Sequence, residues 1–175
     1  MEFVFTLKYQ MSVQDCEEES LIPRLGAAGC TDACITAGLR GRLMLTFSRR
    51  ADRADAALLK ALKDVRKALP GARLIEAGPD MVGLTDVADV VKVSRQNMRK
   101  LMLTHPTTFP SPMHEGNSSS VWHLIDVLIW MQSRGTYKID QRVMDISAAA
   151  KAVNLVRECR HLDDRKRNEL AQVMA

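Results

Sequence analysis

Residues 84–103, LTDVADVVKVSRQNMRKLML, constrain this chain more than any other stretch. Apolar residues fall at helical spacing on both sides of Lys92-Val93, which predicts two short helices joined by a tight turn. Thr85 is the expected cap of the first helix, because its hydroxyl can accept a bond from a free first-turn amide, and Asp86 sets a carboxylate at the positive end of the dipole. Val87, Ala88, Val90 and Val91 form its buried side, and Ala88 is small enough for a second helix to cross closely. Ser94 is the second expected cap, with apolar Val93 before it to plug the gap between the helices. Met98, Leu101 and Met102 then turn to the core, leaving Arg95, Gln96, Asn97, Arg99 and Lys100 mostly outward.

That outward face has the chemistry of a helix lying in a major groove. Cationic heads bind phosphates or guanine edges, and amide heads can pair bidentately with adenine. Lys92, Arg95, Arg99 and Lys100 put four positive charges in one short run with no carboxylate among them. A solvated amphipathic hairpin in a helical bundle is the competing reading of these residues. The next segment, FPSPMHEGNSSSVWHLIDVLIWMQSRG, weighs against it. Its prolines cannot continue a helix, and Met113 and Val121-Trp122 flank a polar tip, residues 114–120, as two short strands of a hairpin would. A helix carrying Leu124, Ile125, Leu128, Ile129 and Met131 follows and stops near Gly135. Helix, turn, helix, hairpin, helix is the order of a winged helix-turn-helix.

Taken together these residues resemble the MerR-like and excisionase-like winged-helix DNA-binding domains of bacteria and their phages. The resemblance rests on Leu84, Thr85 and Ala88 in the first helix, Val93-Ser94 at the turn, Phe109, Pro110 and Pro112 before the hairpin, and Trp122, Asp126, Val127 and Trp130 in the last helix. It spans about a third of the chain. Lys92 departs from the pattern, standing where such turns commonly have Gly; if that residue is left-handed the cost is on the order of 1 kcal/mol, and a charge is gained near phosphate. The resemblance implies DNA binding, although some relatives use such domains mainly for protein assembly.

The first eighty residues carry a different pattern. Residues 2–9 alternate Phe3, Phe5 and Leu7 with polar partners, a strand with one buried face. Residues 12–29 read as a helix started by Ser12 or Asp15, with Glu17, Glu18 and Glu19 in its first turns and a stripe of Leu21, Ile22 and Leu25; Pro23 should start or kink it. Residues 32–37 and 43–48 are strand-like and joined by a Gly38-to-Arg42 hairpin signal. Residues 55–69 form a strong amphipathic helix stopped by Pro70-Gly71, and residues 72–77 give a fourth strand. The expected architecture is therefore α+β: a ferredoxin-like β-α-β-β-α-β domain over residues 1–78, a short Gly78-Pro79-Asp80 turn, a winged helix-turn-helix over 81–135, and a connector with a C-terminal helical element over 136–175. In the last part Asp145 or Ser147 is the expected cap of a helix bearing Ile146, Ala149, Ala150, Val153, Val156 and Cys159. Asp163 and Asp164 then cap a further stretch with Leu170, Val173 and Met174 apolar, able to dock on the chain itself or on a second copy.

Charge and composition bound the partners. The net charge is +4, and residues 81–134 carry only 5 basic against 4 acidic side chains, so the field is weak and a homodimer is the expected route to adequate affinity for double-stranded DNA. The basic run Arg40, Arg42, Arg49, Arg50 and Arg53 reads as solvated ends of a hairpin and helix more readily than as a phosphate patch, because Asp52 and Asp55 sit among the arginines. Cys30 and Cys34 have no nearby Cys or His to complete a zinc site, so with Cys16 and Cys159 they read as reduced thiols and no metal is expected. No run approaches the roughly 18 uncharged apolar residues needed to span a bilayer, no membrane partner is expected, and the expected location is cytoplasmic, with the nucleoid.

No catalytic constellation is visible: His105, His114, His123 and His161 have no nucleophile or carboxylate at a motif spacing, so no enzyme and no cofactor are expected. The expectation is a sequence-specific DNA-binding protein, a bacterial or phage transcriptional regulator acting as a dimer. Ser94 would hold phosphate; Arg95, Gln96, Asn97 and Arg99 would read bases; Lys100 would contact the backbone; and His114, Asn117, Ser118 and Ser119 would lie on the wing. The competing expectation is an adaptor of a phage or mobile element that uses the winged helix to assemble with another protein. No residue set specifies a small-molecule effector.

Overall fold

The structure is a computed structural model, and it describes residues 1–15, 18–37, 39, 41–117 and 119–174. The predicted Cys16, Glu17, Gly38, Arg40 and Ser118 lie outside the described residues, as do the side chains of Glu18 and Glu19.

The chain is α+β. Strands β1 (Glu2–Gln10), β2 (Ala33–Ala37), β3 (Arg42–Arg50) and β4 (Arg73–Gly78) form one antiparallel sheet in the order β2-β3-β1-β4, interleaved with helices α1 (Glu18–Ala27) and α2 (Ala54–Ala68). The period-2 pattern of β1 and β3 drives this: Phe3, Phe5, Leu7 and Tyr9 face the same side as Leu43, Leu45 and Phe47, and all are buried. Phe5 stacks on Phe47 with ring centroids 5.2 Å apart. Helix α2 closes this core with Ala57, Leu58, Ala61 and Val65. Pro23 neither starts nor bends α1 out of existence; it sits within the helix, while Ile22, expected in the apolar stripe, is 67% exposed and Leu25 alone reaches the deep core.

The second core gathers around α3 (Leu84–Val91), α4 (Arg95–Thr104) and α5 (Leu124–Ser133). Val87, Ala88 and Met98 pack against Trp122, Leu124, Val127, Leu128 and Met131. The hairpin is β6 (His114–Glu115) against β7 (Ser120–His123), and its tip is shorter than the spacing suggested, closed by the Gly116 N–H donating to the Ser119 carbonyl at 2.9 Å. A strand absent from the sequence reading, β5 (Met81–Val82), pairs with β7 and extends the hairpin to a three-stranded sheet. Gly135, at φ +71°, ends α5 in the left-handed conformation that glycine enters without steric cost. Ile129, expected in the α5 stripe, is exposed, and Val127 takes the buried place.

Helix α6 (Gln141–Cys159) joins the two cores. It starts ahead of the expected caps Asp145 and Ser147, because the Asp140 carboxylate accepts from the Arg142 N–H at 2.9 Å and is itself clasped by the Arg142 guanidinium. Met144 enters the second core while Ile146 and Ala150 enter the first, and Val156, expected in the stripe, is exposed. Buried Asn154 fixes the register. Its side-chain amide donates to the Ala77 carbonyl (2.8 Å) and to Asp80 Oδ2 (2.7 Å), and its oxygen accepts from the Ala77 N–H (2.9 Å), completing both peptide groups on the outer edge of β4. Helix α7 (Asp164–Met174) follows, capped by Asp163, whose carboxylate accepts from the Lys166 N–H at 2.7 Å; no residue of α7 is buried.

The basic run of residues 40–53 divides in an unexpected way. Arg49 is buried and forms a fork with Asp32 (2.7 and 2.8 Å), a bond to Asp64 (2.8 Å) and another to the Gly29 carbonyl (3.1 Å), its guanidinium lying over the Phe47 ring. Its partners are thus far in sequence rather than the neighbouring Asp52. Arg53 does pair locally with Asp55. The Arg49 guanidinium holds the Asp32 carboxyl below the usual aspartate range.

Two outcomes are expected. Arg49→Met should cost about 3 kcal/mol in urea unfolding at pH 7, and Arg49→Lys should not restore it, because one ammonium cannot bridge two carboxylates and a carbonyl. Because folding lowers the Asp32 pKa, its contribution is complete above about pH 4 and is lost as pH falls further, so the wild type should lose stability below about pH 4 more steeply than Arg49→Met. Asn154→Ala should cost about 3 kcal/mol in the same assay, because it strands both Ala77 peptide groups and an Asp80 oxygen.

Candidate nucleic-acid interface

Helix α3 ends at Lys92, whose φ of 59° and ψ of 42° are left-handed; its N–H donates to the Ala88 carbonyl. That conformation turns the chain sharply enough for α4 to start with only Val93 and Ser94 between. The start of α3 differs from expectation. Thr85 does not cap it; Gly83 occupies the cap position and the Asp86 carboxylate accepts from the Gly83 N–H at 2.8 Å. Ser94 does cap α4, its hydroxyl accepting from the Asn97 N–H at 3.1 Å. The remaining first-turn amides of α4 and its positive dipole end therefore sit beside Arg95.

With Met98 buried, Arg95, Gln96, Arg99 and Lys100 are exposed on α4 and Asn97 is half-buried. Among the described residues none of Lys92, Arg95, Arg99 and Lys100 makes an ion pair or side-chain hydrogen bond. Across from α4 stands the hairpin tip. Arg95, Arg99, Asn117 and Ser119 line one open groove, with Thr85, Ser120 and the edge of Trp122 in its walls. The groove so unites four of the expected residues from two separate elements. Gln96 and Lys100 flank it along α4, and His114 is exposed on β6 but outside the groove lining. Thr85 is the residue the sequence reading misassigned: freed from capping, its hydroxyl has no partner among the described residues and borders the groove. Gly83, three residues ahead of Asp86, was the signal for this, since glycine serves as a cap while a later carboxylate reaches back.

The groove rests on an aromatic base. Phe109 sits edge-on to Trp122 (6.1 Å) and Trp130 (4.9 Å), and the Trp122 indole N–H donates to the Pro110 carbonyl at 2.9 Å. Those contacts anchor the segment between α4 and the hairpin, so the two walls hold a fixed separation. At the tip, a Cβ on Gly116 would stand 3.1 Å from the Ser119 carbonyl and 3.1 Å from His114 Nε2, which favours glycine there. Arg134 lies over the outer face of Trp130, 4.8 Å from its centroid.

His123 has a partner that its sequence spacing could not disclose: its Nδ1 lies 2.8 Å from Asp80 Oδ1, while the other Asp80 oxygen is taken by Asn154. With both carboxylate oxygens engaged, this pair is a joint between the turn after β4 and the end of β7. Among the described residues no group of three or more His, Cys, Asp or Glu side chains could hold a metal ion, and no helix is long and apolar enough to cross a membrane. Burial pushes the Cys30 thiol up to about 11, with the Asp64 charge adding to the effect.

Lys92→Gly should stabilise the protein by about 1 kcal/mol in urea unfolding, because glycine enters the left-handed region freely while lysine does not. No protein-family model, curated protein or solved structure matches this chain, so what the groove between α4 and the hairpin does must be read from its own chemistry.

Proposed function

We propose that this protein is a sequence-specific binder of double-stranded DNA, a transcriptional regulator of the bacterial or phage kind that acts as a homodimer. In this reading residues 81–135 are a winged helix-turn-helix and residues 1–78 a ferredoxin-like domain that carries it. The observation that supports the reading is the groove itself: the outer side of α4, whose three cations, like Lys92 just before it, have no partner among the described residues, faces a polar hairpin tip, and both are braced from beneath. A helix of this size fits a major groove, and the mixture of guanidinium, amide and ammonium heads separates into tasks. Arg95, Gln96 and Arg99 reach base edges, with Asn97 at the margin because it is half-buried. Ser94, the α4 amides, Lys92 and Lys100 hold phosphates, and Asn117 and Ser119 run along the adjacent strand backbone.

The test is selection of bound duplexes from a random pool, followed by anisotropy titration of the selected duplex against a scrambled one at several salt concentrations. A recurring motif bound about a hundredfold more tightly than the scramble is the expected result, and its symmetry reports the dimer. Gln96→Ala should alter base preference. Lys100→Ala should weaken all sequences alike and reduce the salt slope by about one. Equal losses on selected and scrambled DNA for Gln96→Ala, Arg95→Ala and Arg99→Ala would overturn the base-reading assignment. Absence of binding at low salt would favour the protein adaptor instead.

A further inference from the structure

Two surfaces of this chain lack partners, and they match each other. The first is α7, which buries no residue: Leu170, Val173 and Met174 are 44%, 86% and 83% exposed. Isolated helices of this length are marginal in water, so a helix with such an edge needs something to pack on. The second is an apolar groove between α2 and α6, floored by Leu59, Leu62, Ala149, Ala152 and Val153, with Leu59 53% exposed. Its open end carries Asp52, Asp55 and Asp145 with Arg53, which pairs with Asp55, and the Met1 ammonium, which bonds the Ala51 carbonyl, leaving Asp52 and Asp145 without an ion pair among the described residues. Arg165, Lys166 and Arg167 crowd the first turn of α7. Arg165 and Arg167 make only exposed pairs within their own helix, and Lys166 makes no side-chain bond among the described residues. An apolar edge with one unpaired cation, Lys166, near its start thus answers an apolar groove with two unpaired carboxylates, Asp52 and Asp145, at its mouth.

We propose that α7 of one copy docks into the α2–α6 groove of a second copy, and reciprocally, as the homodimer contact. Leu170, Val173 and Met174 cover Leu59, Leu62 and Val153, while Lys166 lies at the Asp52 and Asp145 mouth. Each dimer then contains two equivalent helix-in-groove contacts, the isologous arrangement a two-fold axis demands. The contact is on the first domain and the C-terminal helices, so it leaves α4 and the hairpin free. This deepens the homodimer part of the regulator reading but does not depend on DNA binding.

The experiment is sedimentation velocity on the full chain without DNA, up to about 100 µM. The wild type should dimerise with concentration. Leu59→Glu in the groove and Leu170→Asp on α7 should each raise the dissociation constant on the order of a hundredfold, because each places a charge in an apolar contact. Both residues are exposed in the single chain, so circular dichroism should show the fold intact. Val4→Asp, on the opposite face of the sheet and 59% exposed, should leave the dimer unchanged. A monomeric wild type overturns the proposal, as does a dimer weakened by Leu170→Asp but not by Leu59→Glu, or one weakened equally by Val4→Asp. Since no DNA is present, these results stand apart from those of duplex selection.

Discussion

The arrangement of this molecule depends on a buried carboxylate, Asp80, and the carboxamide that meets it. Removing a charged group from water is costly unless every lone pair finds a donor, and here one oxygen takes the His123 ring while the other takes Asn154. The Asp80 carbonyl accepts from the Leu124 N–H at 2.7 Å, so the same residue also begins α5. Asn154 meanwhile completes Ala77 on β4. Four elements thus share one polar joint, and none of them can slide without leaving a buried group bare. An apolar seam would tolerate small rotations; hydrogen bonds of fixed direction do not. The Lys151 ammonium adds a second tie, bonding both Asp126 oxygens of α5 at 2.7 and 2.8 Å.

Charge is distributed with the same economy. Around the four-stranded sheet Arg24, Arg49 and Arg53 are committed to carboxylates, and Arg49 is walled in so completely that it acts as a core residue. On α4, by contrast, the cations have no partners among the described residues. A net charge of +4 makes a weak overall field, yet local potential depends on which charges are left uncompensated, and four such cations, Lys92, Arg95, Arg99 and Lys100, lie where α3 gives way to α4.

Period and punctuation made much of this legible. The alternation of Phe3, Phe5 and Leu7, the α2 stripe and the Ser94 cap each follow from a local rule, and each is found where the rule puts it. What escaped was short or long-range. Met81-Val82 is too brief to show a period and forms a strand only because β7 offers it an edge. Asp140 begins α6 amid polar residues with no apolar rhythm to mark it. The partners of Arg49 lie at Asp32 and Asp64, and those of Asn154 at Ala77 and Asp80; such pairings are made by the tertiary structure and leave no spacing to read. On the candidate site, α4 and its outward residues were plain from heptad-like spacing, whereas the inclusion of Thr85 required knowing that Gly83 had taken its place as cap.

The position of α6 in the chain has a kinetic corollary. Ile146, Ala150 and Asn154 complete a sheet whose own strands are all made within the first 78 residues. A chain emerging from the ribosome can pair β1, β3 and β4 early, but the edge of β4 stays open until some seventy-five further residues have been synthesised. Both cores therefore await the same helix, the second for Met144 and the first for Ile146 and Ala150. Neither core is complete before α6 has been made, so their completion is coupled rather than successive.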